Sequence, residues 1–478
     1  MSHIHEECGV FGIYSRKASN LAALTYYALF ALQHRGQESA GIAVNDDGVF
    51  TYAKGEGLVS EVFDSKVLSD LGEGNIAVGH VRYATTGAKM QQNIQPLLVN
   101  HHKGRLALCH NGNLSNSFEL RNNLEEKGAI FHTTTDSEVI SYIVVQERMR
   151  CGSIEEAVSA AMGVIEGAYA LIISSPQKLI AARDPHGFRP LCYGETERGE
   201  IVFASESCAL DAVGAKLIRD IQPGEIAIVD KNGIRFHTSM CNKKQKRFCI
   251  FEYIYFARPD SVIDGAPVSL CRRNAGRFLA QQHPVDADIV IGVPDSGLEA
   301  AIGYSQESGI PYAIGFTKNK YIARTFIAPA QEERAKGVDI KLNPIKDVVN
   351  GKRVVLIDDS IVRGTTCRRI ADLLWKAGAT EIHFRVSAPP FICPCYYGTD
   401  IDSADVLIAN RMNVSEIARE IGVTTLGYLS IENVKKLTGE DTGFCTACFD
   451  GKYPTSIPSA TSKNRFESKI SEKNAHSG

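Results

Sequence analysis

The chain has 478 residues, 44% of them apolar and 22% charged, with a formal net charge of -3. That length suits two to four domains, two large ones among them, with a core that needs no disulfides. The near-neutral balance excludes a global pull toward nucleic acid or an acidic membrane surface, and no stretch approaches the roughly 18 apolar residues of a membrane helix.

The N-terminus MSHIHEECGVFG lacks the basic start and apolar core of a secretory signal, so a cytoplasmic location is expected. Thirteen cysteines, an odd number, are scattered along the chain and do not read as a disulfide framework. Cys109, Cys151, Cys192, Cys208, Cys271 and Cys367 carry no spacing signal and are expected to be small buried residues. Cys8 and the set Cys393, Cys395, Cys445 and Cys448 stand apart.

No internal repeat is present. Residues 8–240 read as short apolar strands with Gly-rich turns, mixed with helices. CGVFGIYS, NIAVGHVRYATTG, RLALCHNG, AYALIIS and KLIAARD predict strands, and the amphipathic stretch Leu21 to Gln33 predicts a helix. This alternation implies a layered α+β domain. Four runs in it carry chemistry. Cys8, in EECGVFGIYS, supplies a thiol, although a cysteine before a strand is by itself more often core than catalyst. HVRYATTG sets Arg82 beside small hydroxyl residues. CHNGNLSN is expected to hold Asn111 and Gly112 in a tight turn, and HTTTDSE to hold Asp136 in a polar loop. No helical or core pattern links these runs. Together they meet the needs of amide hydrolysis: a thiol to attack, donors for the oxyanion, Arg82 to pair with a carboxylate and Asp136 to hold an α-ammonium. No general base accompanies the thiol, because His80, His110 and His132 fit structural roles better. The α-amine of Cys8, with a pKa of about 8, would serve. That requires removal of residues 1–7.

The basic segment CNKKQKR (Cys241 to Arg247) breaks the pattern and is read as the linker. Beyond it, over residues 241–454, apolar β-branched runs are followed by polar turns and helices. DIVIGV leads through PDSG to LEAAIGYSQES, and RVVLI leads through DDSIVRG to TTCRRIADLLWKAGA. EIHFRVSAP and ADVLIAN follow. This is the βαβ signature of an α/β domain with a parallel sheet. The long polar segment Lys318 to Ile345 lacks periodicity and reads as a lid or binding loop. The Ser/Lys-rich tail, residues 455–478, is expected to be disordered.

RVVLIDDSIVRGTT is the most informative run. Its strand, Arg353 to Ile357, leads into a loop at the carboxyl end of a parallel sheet, where such folds bind ligands. The next helix is expected near Thr365. Gly364, Thr365 and Thr366 then offer N–H groups and hydroxyls to an anion. Asp358 and Asp359 suit a divalent cation or ribose hydroxyls. A bare Asp-Asp-Ser is more simply an N-cap, but two aspartates beside a phosphate cradle make sense only with a metal between them.

This string resembles the phosphoribosyl pyrophosphate signature of type I phosphoribosyltransferases. The resemblance implies that Asp358 and Asp359 bind the ribose hydroxyls and Mg²⁺, and that Ser360, Arg363, Gly364, Thr365 and Thr366 cradle the 5-phosphate. It implies that Pro294-Asp295-Ser296-Gly297 is the pyrophosphate loop, with Ser296 on Mg²⁺. KNKYIARTFIAPAQEERAKG resembles the lid of amidophosphoribosyltransferases, where Lys320 and Arg324 would reach the pyrophosphate. The four earlier runs resemble, in order and spacing, the class II glutamine amidotransferase domain. That implies an N-terminal-nucleophile αββα sandwich, Cys8 as the nucleophile after loss of a propeptide, Asn111 and the Gly112 backbone as the oxyanion hole, and Arg82 and Asp136 as the glutamine site.

The two halves, with EYIYFARPDS (Glu252 to Ser261) at their junction, are together similar to the amidophosphoribosyltransferase family over about Cys8 to Pro454. The implied reaction turns glutamine, water and phosphoribosyl pyrophosphate into 5-phosphoribosylamine, pyrophosphate and glutamate, the first step of de novo purine (IMP) synthesis, with ammonia passing internally. The family resemblance also implies a homotetramer with purine nucleotides as feedback inhibitors. Lys243, Lys244, Lys246 and Arg247 are read either as part of a nucleotide-phosphate site or, with better odds, as a solvated linker. Another class II amidotransferase would not need the run at 354–366. A purely regulatory binder would not need Cys8, Arg82, Asn111 and Asp136 intact.

Cys445-Thr-Ala-Cys448 alone reads as zinc, redox or neither. With PCYYG at Cys395 and RFCIFEYIYF at Cys249, it resembles the iron–sulfur branch of the family. The implied ligands of a [4Fe–4S] cluster are Cys249, Cys395, Cys445 and Cys448. Four thiolates suit such a cluster and also structural zinc. Cys393 remains an alternative to Cys395, and Cys241 to Cys249.

Overall fold

The strand Gly9–Ser19 alternates along its length. Phe11 and Ile13 enter one buried cluster while Val10 and Tyr14 enter another. A strand with both faces in core must lie inside a layered structure. The computed structural model describes residues 8–83, 91–319, 342–399, 401, 403–439 and 443–457. In it this strand sits within a seven-stranded sheet ordered 215–220, 192–196, 201–204, 9–19, 74–82, 39–46 and 49–56. Every neighbouring pair is antiparallel. A second antiparallel sheet has six strands ordered 233–237, 226–230, 179–183, 167–174, 104–114 and 97–101.

Val10, Val78, Ala107, Ile172 and Phe203 fill the space between the sheets. On the far side of the first sheet, Phe11 and Ile13 pack against Leu21, Leu29 and Leu210 of the helices Leu21–Ala31 and Ser207–Ala212. On the far side of the second, the helices Asp136–Arg150 and Ile154–Met162 contribute Ile140, Val144 and Val158. The result is an αββα sandwich.

The second half is built on a four-stranded parallel sheet ordered Ile289–Gly292, Arg353–Asp358, Glu381–Val386 and Thr425–Tyr428. The helices Val268–Gln282 and Gly297–Ser308 cover one face, and Thr365–Lys376 and Val414–Ile421 the other. Two expectations need correction. ADVLIAN is not a strand but two short 3-10 turns, Ala404–Val406 and Ile408–Asn410, folded back where Asn410 donates to the carbonyls of Ile392 and Ala404. The fourth strand is instead TLGY at Thr425–Tyr428, too short for a clear apolar period. Cys151 is half-buried at the end of its helix, whereas Cys109, Cys192, Cys208, Cys271 and Cys367 are buried as expected.

Candidate functional site

Cys8 is the first described residue and leads directly into the strand Gly9–Ser19. That strand pairs Gly9 with Val81, which brings Cys8 to the end of the neighbouring strand that finishes at Arg82. The Cys8 thiol donates to the Tyr83 carbonyl at 3.5 Å, and its own carbonyl accepts from Arg35 Nε at 3.1 Å. Arg82 is buried beside Ser39 in the central strand pair.

Asn111 and Gly112 do not form the tight turn expected of them. They lie inside the strand Gly104–Leu114, paired with Ala170 and Tyr169. Gly112 has φ +140, and a Cβ there would stand 2.1 Å from the Ala168 carbonyl oxygen, so only glycine lets the two strands meet. The Asn111 side chain is 1% exposed, and among the described residues neither its oxygen nor its nitrogen has a hydrogen-bond partner. A buried amide left unpaired costs about 1–3 kcal/mol.

Asp136 also departs from expectation. It is not in a loop but opens the helix Asp136–Arg150, with one carboxylate oxygen accepting from Leu114 N at 2.8 Å and the other 3.7 Å from His110 Nδ1. The strand of Asn111 and the helix of Asp136 are therefore locked together.

The histidines serve this frame. His80 Nε2 donates across the sheets to the His110 carbonyl at 3.0 Å, and burial depresses its pKa to about 3. His110 contacts Ser137 Oγ at 3.0 Å and is also depressed by burial. His132 offers its backbone N–H to Glu138. Two of the three are thus held neutral inside the sandwich.

In the second half, Asp358 ends its strand, and Gly364 with φ +80 turns the chain into the helix Thr365–Lys376. Ser296, just before the helix Gly297–Ser308, donates to one Asp359 oxygen and Ser360 donates to the other. Burial raises the pKa of both Asp358 and Asp359, and repulsion from Asp359 adds to the rise at Asp358. Lys318 pairs with Asp295. Arg363 and Thr365 are exposed and Ser360 and Thr366 half-buried around the same loop. Lys320, Arg324 and residues 1–7 lie outside the described residues. In the basic linker, Lys246 pairs with Asp264 at 3.0 Å while Lys243 and Lys244 are exposed.

The C-terminal cysteines converge. Short parallel strands, Phe248–Cys249 and Phe444–Cys445, set Cys249 opposite Cys445. Cys249, Cys395, Cys445 and Cys448 all line one enclosed cavity with Phe188 and Tyr397. Cys393 and Cys241 do not line it, and the Cys393 thiol lies against Gly451 instead. Burial pushes Cys445 up to about 12 and raises Cys448 well above its usual value. Among the described residues no three His, Cys, Asp or Glu side chains are grouped as a metal ion requires, and no helix is long and apolar enough to cross a membrane.

Sequence reasoning missed Arg35, Arg189 and Glu252, which tie the halves together. Arg35 donates to Glu206 at 2.6 Å and bidentately to Glu252 at 2.8 and 3.0 Å, and Arg189 reaches Glu252 at 3.3 Å. Their only local signals were a charged residue after a helix and another inside the apolar run IFEYIYF.

Such a sandwich joined to such a parallel-sheet unit defines a two-part enzyme of the glutamine amidotransferase and phosphoribosyltransferase classes. Residues 80–212 match the family described as glutamine amidotransferase domain, and residues 268–390 match the phosphoribosyl transferase domain family. The chain is 49% identical over 465 residues to the amidophosphoribosyltransferase of Synechocystis, covering 96% of this chain and 93% of that one. It is 46% identical over 460 residues to the amidophosphoribosyltransferase of Bacillus subtilis, covering 95% of each. A solved structure of the B. subtilis glutamine phosphoribosylpyrophosphate amidotransferase, complexed with ADP and GMP, superposes with a TM-score of 0.87 at 46% identity, covering 94% of this chain and 98% of that one. The chain belongs to the amidophosphoribosyltransferase family. It is a glycosyltransferase that moves nitrogen from glutamine to phosphoribosyl pyrophosphate, the first step of purine biosynthesis.

Proposed function

We propose that the chemistry divides between two sites, one on residues 8–240 and one on residues 241–454, after residues 1–7 are lost as a propeptide. Arg82 holds the α-carboxylate of glutamine and Asp136 its α-ammonium. The Cys8 thiol gives its proton to its own freed α-amine and attacks the carboxamide carbon. The oxyanion that forms is held by the Asn111 side-chain N–H and the Gly112 backbone N–H. As this intermediate collapses, the α-ammonium returns the proton to the leaving nitrogen and ammonia departs. Water then cleaves the thioester to glutamate and regenerates the thiol. The observation that carries this reading is the buried Asn111 amide, without a hydrogen-bond partner among the described residues, beside a glycine that admits close approach.

Ammonia crosses internally to the second site, because in water at pH 7 it is mostly ammonium and not nucleophilic. There Ser360, Arg363, Gly364, Thr365 and Thr366 hold the 5-phosphate. Asp358 and Asp359 bind the ribose hydroxyls and, with Ser296, hold Mg²⁺, whose charge offsets the paired carboxylates and the pyrophosphate. Lys320 and Arg324 approach the pyrophosphate. Ammonia bonds to the ribose C1 as pyrophosphate leaves.

The four cysteines Cys249, Cys395, Cys445 and Cys448 fit a [4Fe–4S] cluster, which would tie three chain segments together without entering the reaction. Four cysteines lining one cavity suit a [4Fe–4S] cluster and also structural zinc. ADP and GMP in the B. subtilis relative support purine nucleotides as feedback inhibitors. A homotetramer is the proposed assembly.

The test is synthesis of phosphoribosylamine with glutamine or with ammonia as donor. Cys8→Ala is expected to lose the first and keep the second; glutamine-driven synthesis surviving in Cys8→Ala overturns the assignment. Intact mass reports loss of residues 1–7. Iron, sulfide and zinc analysis of anaerobically purified enzyme separates the cluster from zinc.

A further inference from the structure

A buried charge network joins Cys8 to the other half of the chain. Arg35, 1% exposed, directs Nε to the Cys8 carbonyl at 3.1 Å and its two Nη groups to Glu252 at 3.0 and 2.8 Å. Glu252 is fully buried and opens a π-helical turn, Glu252–Phe256. The turn is itself pinned from the phosphoribosyltransferase side. Arg272, in the helix Val268–Gln282, donates to the carbonyls of Tyr253, Tyr255 and Ala257 at 2.9, 2.9 and 2.6 Å. Glu206 holds the network from the sandwich side. It accepts from Arg35 at 2.6 Å and contacts His34 at 2.7 Å, and it accepts from Ser261 Oγ at 2.6 Å and Arg258 N at 2.9 Å across the junction. Charge-assisted, bidentate contacts of this kind fix geometry closely, and π-helical turns recur at functional sites.

We propose that Arg35 is a positioning residue for Cys8, and that Glu252 sets Arg35, so the nucleophile of the amidotransferase half is aligned by a residue from beyond the linker. This rests on the reading of Cys8 as nucleophile. When thiol and base belong to one residue, no neighbouring side chain aims the base. The anchor on that residue's carbonyl then fixes the orientation of both groups. Arg35 supplies that anchor, and Glu252 occupies both ends of its fork. The lost contact would therefore slow the attack and leave glutamine binding, which rests on Arg82 and Asp136, largely intact.

The test uses the full-length enzyme carrying Glu252→Gln or Arg35→Lys, assayed with glutamine and with ammonia. The expected result is a fall of about 10- to 100-fold in kcat with glutamine, with the glutamine KM within about threefold, and partial recovery in Glu252→Asp. The ammonia-driven rate should stay within about twofold of the parent. Glutamine kcat within twofold of the parent overturns the proposal, and so does an equal fall with both donors, which would mark a merely structural role. Arg35→Lys keeps the charge and lies in the other half, so it carries the test alone if the Glu252→Gln chain does not fold. Cys8→Ala in the same assays keeps the two readings apart: if it retains glutamine turnover, the nucleophile assignment fails, whatever the Glu252 variants do.

Discussion

The sites around Cys8 and Asp358 differ in the groups they bury. Beside Cys8 the unmet group is a neutral amide, Asn111, on a strand held by a full hydrogen-bond ladder. Beside Asp358 the buried groups are two adjacent carboxyls, hydrogen-bonded by Ser296, Ser360 and the Asp359 backbone N–H, whose pKa values burial has raised. An unpaired neutral dipole costs about 1–3 kcal/mol and is tolerable in a permanent frame. A buried carboxylate costs much more even when hydrogen-bonded, so burial shifts the group toward its protonated form. The first site therefore buries a neutral dipole, whereas the second buries two carboxyls held toward their protonated form.

Removing the Cys8 thiol, the proposed nucleophile, is expected to give the largest effect on this contrast, loss of glutamine-driven synthesis in Cys8→Ala against retained ammonia-driven synthesis. Asn111→Ala tests the neutral side next. It should lower glutamine-driven kcat by about 10²- to 10³-fold, as other oxyanion donors do. An unchanged kcat would mean that the orphan amide is not aimed at the reaction.

Asp358→Asn tests the charged side. The folded carboxyl lies above its unfolded value of about 3.9. Its favourable contribution is thus full below that value and is lost as pH rises through the folded pKa. At pH 7 without added metal, Asp358→Asn should melt higher than the parent by about 2–4 °C while losing phosphoribosyl transfer. The gap should shrink toward pH 4 and on adding Mg²⁺, as differential scanning calorimetry would read. A parent more stable than the variant at pH 7 would break the comparison.

The smallest effect is expected at His80. With a pKa depressed to about 3 it cannot be the base near neutrality. His80→Gln keeps a donor for the His110 carbonyl and should leave glutamine-driven kcat within about tenfold. The acid limb of its pH profile should not move. A shifted limb would return the imidazole to the chemistry.

Much of the α/β half was legible because strand, loop and helix follow one another in a single run, from Arg353 through Asp359 to Thr365, so local order fixes where the loop and its proposed phosphate cradle fall. The sandwich half was legible as an inventory of residues but not in its placement. Asn111 and Gly112 looked like a turn because NGN is turn chemistry, yet pairing with Ala170 and Tyr169 overrides that preference. Asp136 looked like loop because TTTDS is polar, and it proved to begin a helix whose apolar face appears only further on. ADVLIAN matched a strand in composition, but composition alone does not say whether a sheet edge is there to receive it.

The sequence by itself determined which groups are available and in what order, because each motif is a local string with its own backbone path. Tertiary structure brought Cys395 and Cys249, the pair the motifs had favoured, to one cavity with Cys445 and Cys448. It also decided that Arg35 and Glu252, 217 residues apart, share a fork of hydrogen bonds. A buried charge needs a partner, but the physics that demands one does not say where along the chain it lies. Only the packing of one half against the other settles that.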